Sequence, residues 1–263
     1  MLSALRAHSG GDHQTVRLVK DGHAFALRLP HRRPEALMMQ ARLAGAWLGD
    51  QSGMGPRFRA SDYDSGVMIV DWIDGQPAHA PLPVTKIALA SHLGEALRHV
   101  HATPAPPQLP VADLVAIAQS LNLAAIFMEI AQALAATQTE LCASHGDLVP
   151  DNMIVAATGE IRLIDWDYAA LHDPCWDLAY AIQELGLNNA ESDALFAAYG
   201  RTMPAQRIIL FRTLIIAINA AWRQANRQPV SDHALPLAQI LSTHEVVCNA
   251  LASMGQQAHL TGR

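Results

Sequence analysis

In Ser144-His145-Gly146-Asp147-Leu148-Val149-Pro150-Asp151-Asn152 an aspartate stands five residues before an asparagine, and Asp165 follows thirteen residues later in Ile164-Asp165-Trp166. One carboxylate, one carboxamide and a second carboxylate at this spacing suit phosphoryl transfer from a nucleotide to a hydroxyl. Asp147 is the candidate to receive the acceptor's proton, and Asn152 and Asp165 the candidates to hold a metal ion on the nucleotide phosphates. An amide and a carboxylate together bind Mg²⁺ without over-neutralising it and leave positions open for phosphate oxygens and water. Asp and Asn are common in turns, so any one of them alone carries little. The joint pattern His-x-Asp-(x)4-Asn with a spaced Ile-Asp-Trp is what carries the argument.

These residues need a scaffold. The pattern predicts a loop from Ser144, a strand over Met153–Val155, a turn at Thr158-Gly159 and a strand over Ile161–Ile164. That hairpin sets Asn152 at the start of one strand and Asp165 at the end of the other, facing one cleft. Upstream, Thr15–Val19 and His23–Leu29 alternate at period two around Lys20-Asp21-Gly22, a hairpin signal. A helix over Glu35–Leu48, a loop over Gly49–Pro56 and strands over Arg57–Ala60 and Gly66–Val70 complete a small sheet with one helix. Composition changes at Asp74-Gly75-Gln76-Pro77. Helical patterns then cover Val84–His101, Val111–Ala136 and Trp176 through Met254, with a four-proline connector at Thr103–Pro110. The fold class expected is α+β in two lobes: a small antiparallel β-sheet lobe (1–70), a hinge or linker (71–83) and a mainly helical lobe (84–263).

The balance of 51% hydrophobic to 16% charged residues in 263 describes a globular chain, not a disordered one. A formal charge of −6 argues against nucleic acid as a partner. Cys142, Cys175 and Cys248 are odd in number and show no C-x-x-C spacing, so they read as reduced thiols, with no disulfide framework or zinc site. Met1–Gly11 has neither a long apolar run nor a cleavage signal, and Ile208–Trp222 is interrupted by Arg212 and Asn219. A cytoplasmic chain without membrane insertion is expected; oligomeric state stays open. Among thirteen histidines, His99 and His101 point apart on a helix, and no zinc spacing occurs.

The motif region resembles the aminoglycoside phosphotransferase and choline kinase superfamily, through His145-Gly146-Asp147 to Asn152 and through Asp165. The resemblance implies a protein-kinase-like fold, ATP and Mg²⁺ as cofactors, and a small-molecule hydroxyl as acceptor. Protein kinases usually carry Arg at the place of Gly146 and Asp-Phe-Gly at the place of Asp165-Trp166-Asp167, so a protein acceptor is not implied. By the same resemblance, Gly10 and Gly11 cover the phosphates. Arg28 stands for the strand-three Lys, and His145 is a scaffold residue of the catalytic loop. The backbone of Asp71 and Ile73 meets the adenine edge. The helix partner of Arg28 is Glu35, or lies nearer Gln40. Asp167-Tyr168 and His172–Ala179 resemble bacterial choline kinases, which places Glu184 and Tyr168 around a cationic head group. Trp222 then stands where choline kinases carry paired tryptophans, with helix packing as the alternative for it and for Trp176. Choline or a related amino alcohol is the first acceptor implied, thiamine the second, an aminoglycoside the third. A nucleotide-binding pseudokinase is the reading of another class. Asp12-His13-Gln14 after the glycines favours it; intact Asp147, Asn152 and Asp165 oppose it.

Overall fold

The computed structural model describes residues 2–9, 13–137, 140–226, 247 and 249–252, and for 2–9 the backbone only. Five antiparallel strands open the chain in the order β1-β2-β3-β5-β4: β1 (Leu2–Ser9), β2 (His13–Lys20), β3 (His23–Pro30), β4 (Phe58–Asp62) and β5 (Val67–Asp71). Asp21 and Gly22 both take positive φ (51° and 82°), the backbone a two-residue hairpin turn demands. The sequence reading missed β1, because its Ala-rich segment has little β-branched content and weak alternation. With β1 in place, β3 is the middle strand, and Arg28 sits opposite Thr15 on one side and Met68 on the other.

Helix α1 (Ala36–Ser52) runs four residues past Leu48 before Gly53 ends it in the left-handed region. The loop expected from Gly49 therefore begins later. Gly45 and Gly49 do not break the helix because they serve close approach. A Cβ on Gly45 would lie 2.2 Å from the Trp166 carbonyl oxygen, and one on Gly49 2.8 Å from the Trp166 indole. The helix is thereby seated directly on the Ile-Asp-Trp segment.

A short β6 (Gln76–Pro77) leads to α2 (Lys86–Ala102), whose Thr85 cap accepts from Ala88 N at 3.2 Å. The predicted 111–136 helix is two, α3 (Leu114–Ser120) and α4 (Ala125–Ala136), separated at Asn122 with φ 51°. Next come β7 (Cys142–Ser144), a 3-10 turn (Pro150–Asn152), β8 (Met153–Val155), β9 (Ile161–Leu163) and β10 (Ala170–His172). β8 and β9 form the expected hairpin; β7 and β10, too short to show a pattern, pair with each other. Over the described part, the helical stretch from Trp176 divides into α5 (Cys175–Glu184), α6 (Asn189–Tyr199) and α7 (Ala205–Ala225).

One large core joins α2, α4, α5, α7 and the β8–β9 hairpin, and takes Ala44 and Leu48 from α1. A second cluster of Met39, Ala46 and Met68 lies under the sheet. Helix α1 is thus buried on both sides. Helix α7 is longer than the apolar run seen in the sequence and is long and apolar enough to cross a membrane by length and composition. Its Leu210, Phe211, Leu214 and Ile215 are fully buried among the other helices, which is core packing. Cys142 is half-buried and Cys175 buried, both free thiols; Cys248 and Gly10-Gly11 lie outside the described residues.

Candidate active site

The loop carrying Asp147 hangs from β7 and is fixed from beneath by one buried carboxylate. Asp177, on α5, accepts from the backbone N–H of His145 (2.8 Å) and of Gly146 (3.0 Å). Its Oδ2 also meets His101 Nε2 from α2 at 3.1 Å, and His101 Nδ1 lies 2.9 Å from the Tyr199 hydroxyl. Burial pushes the His101 imidazole toward neutrality, but Asp177 and Cys142 together outweigh this and lift its pKa well above the ordinary value. Burial likewise works against the Asp177 carboxylate, and His101 holds its pKa below the usual range.

His145 is fully buried against Trp166, ring centroids 4.6 Å apart. Its Nδ1 accepts from Asp147 N at 3.3 Å, so Nε2 carries the hydrogen and donates to the Ile164 carbonyl at 3.0 Å. One imidazole thus ties the loop of Asp147 to the strand leading into Asp165. Gly146 has φ 87°, and a Cβ there would fall 2.2 Å from the Tyr168 carbonyl. That rules out an arginine at this position in this backbone.

The 3-10 turn delivers Asn152 beside Asp147. Asn152 Nδ2 donates to the Asp147 carbonyl (2.9 Å) and to Asp147 Oδ2 (3.0 Å), and Ile164 N donates to the Asn152 carbonyl (2.9 Å). The three motif residues are therefore neighbours. Burial raises the Asp147 pKa, opposed by His145 and by bonds from Tyr180 and Asn152. Asp165 occupies the left-handed region (φ 62°), one of three non-glycine residues of positive φ among those described. The donor set fits Mg²⁺: with Nδ2 committed to Asp147, Asn152 presents its Oδ1, and Asp165 keeps Oδ2 beyond the oxygen that Arg28 takes. His13, Asp165 and Asp167 also bring ligand atoms within 4.8 Å of one another, but imidazole nitrogen is a poor ligand for Mg²⁺.

Arg28 reaches this point from β3. Nη2 donates to Asp165 Oδ1 (2.7 Å), Nη1 to Asp167 Oδ1 (3.0 Å) and Nε to His13 Nε2 (3.1 Å). Arg42, from α1, pairs with Asp167 Oδ2 at 3.0 Å. Neither Glu35 nor Gln40 is the partner of Arg28: both are exposed at the start of α1, and the paired carboxylates belong to the Asp165-Trp166-Asp167 segment. The helix instead contributes a cation, Arg42, to the opposite side of Asp167. Arg28, in spite of its burial, is held charged by Asp165 and Asp167, and the same guanidinium keeps the Asp165 pKa below the usual range. His13 is pushed down by burial and then by Arg28, toward the neutral ring.

At the end of β5, Asp71 N donates to the Arg57 carbonyl (2.9 Å) and Trp72 N to the Ala24 carbonyl (3.0 Å), while Ile73 lies just past the strand. Any ligand contact of Asp71 through the backbone must then use its carbonyl. Asp71, Trp72 and Ile73 line a cleft of about 390 Å³ with Arg57, Glu160 and Arg162, and it includes none of Asp147, Asn152 or Asp165.

On the acceptor side, Tyr168 and Trp222 are exposed (57% and 41%). Glu184 is not an unpaired carboxylate: Asn219 Nδ2 donates to its Oε1 at 2.8 Å, and Arg223 Nη2 lies 3.6 Å from its Oε2. Trp176 is buried, stacks on His172 at 4.4 Å and donates to the Gly146 carbonyl at 3.0 Å, so it packs the loop from behind. The sequence reading missed His13, Arg42, His101, Asp177, Tyr180 and Asn219. Asp177 lies in the quoted His172–Ala179 phrase and Asp167 beside Asp165, so nearness to the motif was a usable signal for both. Tyr180 follows that phrase by one residue on the same helix, whereas His13, Arg42, His101 and Asn219 come from distant elements and gave none.

A family model described as "Phosphotransferase enzyme family" (APH) matches residues 3–209. Among curated relatives, a "Protein LicA homolog" of Metamycoplasma hominis is 30% identical over 96 residues, 36% of this chain and 38% of that protein. The match thus spans well under two thirds of the relative. A choline/ethanolamine kinase family protein of Mesorhizobium loti superposes with a TM-score of 0.71 at 21% identity, over 97% of this chain and 92% of that one. Choline kinase LicA of Streptococcus pneumoniae gives 0.68 at 19% identity, over 95% and 94%. At these identities the two structures share the fold: an antiparallel sheet followed by a helical region, as in protein kinases.

Proposed function

Because the chain belongs to the phosphotransferase enzyme family, we propose that it transfers the γ-phosphate of ATP to a hydroxyl of a small cationic alcohol of the choline or ethanolamine type. The observation that carries the phosphoryl-transfer reading is the contiguity of Asp147, Asn152 and Asp165 through the Asn152–Asp147 and Ile164–Asn152 bonds. Asp147 receives the acceptor hydroxyl's proton; burial, by raising its pKa, makes it a better base than an exposed carboxylate. Asn152 Oδ1 and Asp165 Oδ2 are the atoms to hold Mg²⁺, which when bound neutralises charge on the phosphates. Arg28 fixes Asp165 and places a guanidinium where phosphate oxygens arrive. The carbonyl of Asp71 and the backbone of Ile73 face the base.

The cationic acceptor is supported by the LicA relatives and by the exposed aromatics Tyr168 and Trp222, whose faces suit an ammonium group. Glu184, neutralised by Arg223, joins such a site only if that pair opens. Release of ADP from Mg-ATP is the test, with choline, ethanolamine, thiamine and kanamycin as separate acceptors. Turnover is expected with the first two and falls by about 10²–10⁴-fold in Asp147→Ala, with ATP binding retained. Unchanged turnover in that variant sinks the role of Asp147. Nucleotide binding without ADP release on any acceptor supports the pseudokinase reading instead.

A further inference from the structure

Beneath Asp147 a chain of side chains crosses between two helices. The Tyr180 hydroxyl lies 3.0 Å from Asp147 Oδ1 and 3.0 Å from Asn219 Oδ1. Asn219 Nδ2 is engaged by Glu184 Oε1 (2.8 Å), and Glu184 in turn by Arg223 (3.6 Å). Tyr180 and Glu184 are one turn apart on α5, as are Asn219 and Arg223 on α7, so the two helices face each other with matched rungs. Each rung settles the next. With its nitrogen donating to Glu184, the Asn219 amide can only turn its oxygen to Tyr180. The phenol has one hydrogen to give, so it is shared between these two acceptor oxygens, the ionised Asp147 Oδ1 drawing it more strongly. Its ring is walled by Trp176, edge-to-face at 5.9 Å, the same indole that grips the Gly146 carbonyl.

A carboxylate's terminal torsion is soft: rotation about Cβ–Cγ is broad and weakly restrained. Asn152 holds Asp147 by Oδ2 alone, which leaves the plane of the carboxylate free to rock. A second bond on Oδ1 removes that freedom. We propose that Tyr180 and Asn219 are positioning residues for phosphoryl transfer, Tyr180 fixing the plane of the Asp147 carboxylate and Asn219, clamped by Glu184, fixing the Tyr180 hydroxyl. The inference rests on Asp147 as the residue that takes the acceptor's proton. It adds that the orientation of this residue is set from α5 and α7, outside the motif. It also gives Glu184 and Arg223 a task that requires no contact with the acceptor.

The test is a double-mutant cycle, reading ADP release with whichever of choline, ethanolamine, thiamine and kanamycin turns over fastest. Tyr180→Phe keeps the ring and removes only the hydroxyl. It is expected to lower kcat by about 10–100-fold, with KM for ATP and for the acceptor moving less than about threefold, since a misoriented base slows the chemical step and not binding. Asn219→Ala, which keeps the phenol, is expected to lower kcat by about 3–10-fold in the same manner. In an Asp147→Asn background neither change should slow the residual reaction further, because each acts through the carboxylate that is gone. A wild-type kcat in Tyr180→Phe overturns the proposal. So does a loss that persists in full on top of Asp147→Asn, which marks a structural role. If Tyr180→Phe does not fold, the Asn219→Ala arm decides alone by the same criteria. Should Asp147→Asn itself keep wild-type turnover, or no acceptor turn over at all, the failure belongs to the reading of Asp147 and takes the proposal with it.

Discussion

Around Asp165, Arg28 and Arg42 meet Asp165 and Asp167 as four charges; around Asp147, the partners are a phenol and a carboxamide. The first arrangement is exchangeable. A guanidinium that holds a carboxylate can take a phosphate in its place, since both present a pair of anionic oxygens to the same planar fork of donors. The second holds Asp147 by hydrogen bonds from two neutral side chains, Tyr180 and Asn152. Along this chain of contacts the next charges stand three hydrogen bonds from Asp147, in Glu184 and Arg223, where they clamp Asn219. In the proposed reaction, ion pairs gather where the ionic ligand is received, and neutral bonds where the reacting group is aimed.

The comparison can be broken most directly by Asp167→Asn. The phosphate-side cluster balances two cations against two carboxylates, and the substitution removes one charge while keeping the shape. Arg42, buried against Asp167, then faces a neutral amide. A loss on the order of 1.5–3 kcal/mol is expected, the scale of a hydrogen bond to a charged group that is exchanged for one to a neutral amide. Urea unfolding followed by circular dichroism measures it. A change below 1 kcal/mol, roughly the value of an exposed pair, would mean that the cluster is no tighter than a surface network.

Arg28→Ala sharpens the same contrast in kinetic terms. A charge-side residue should act on the nucleotide, so kcat/KM for ATP is expected to fall by about 10²-fold, the scale of losing one preorganised donor. The acceptor's KM should shift less than about threefold. Varying both substrates in steady state separates the two. Equal effects on ATP and acceptor would erase the division between the sides.

The two sides also differed in how far the sequence disclosed them. Asp147, Asn152 and Asp165 lie within nineteen positions, and the turn and hairpin that join them are local structure, so spacing alone placed them together. The Asp21-Gly22 turn and the strands beside it were legible for the same reason. Arg28 was visible as a central-strand residue, but its partners were sought on α1, where a glutamate was expected; the chain supplies the carboxylates from across the cleft and puts Arg42 on the helix. The Tyr180–Asn219 contact joins residues 39 apart in sequence on two helices. No periodicity reports which faces of α5 and α7 meet, so this contact, and the neutralisation of Glu184, needed the fold. Gly49 misled in the other direction: it read as the first loop residue, whereas the tight seat of α1 on Trp166 requires it within a helix.

Under both sides lies an ion pair that serves neither ligand. Asp177 carries the backbone of His145 and Gly146, and His101 keeps Asp177 ionised in a fully buried place. The direction of each shift sets its pH window. His101 has a folded pKa raised well above its unfolded value of about 6.5, so its contribution is fully present below that pH and is lost as pH rises through the folded pKa. Asp177 has a depressed pKa, so its contribution is present above the unfolded carboxylate value and disappears only as pH falls through the folded one. Between these limits the anchor is complete. His101→Gln keeps a neutral donor to Asp177 but removes the charge, and is expected to cost about 1.5–3 kcal/mol near pH 6, the scale of a hydrogen bond to a charged group. The deficit should shrink as pH rises through the folded pKa of His101, because the wild type then loses the same charge. Melting temperatures of the two proteins across that range test it. A deficit independent of pH would place the value of His101 in packing against Tyr199 and leave Asp177 to hold the catalytic loop through its backbone bonds alone.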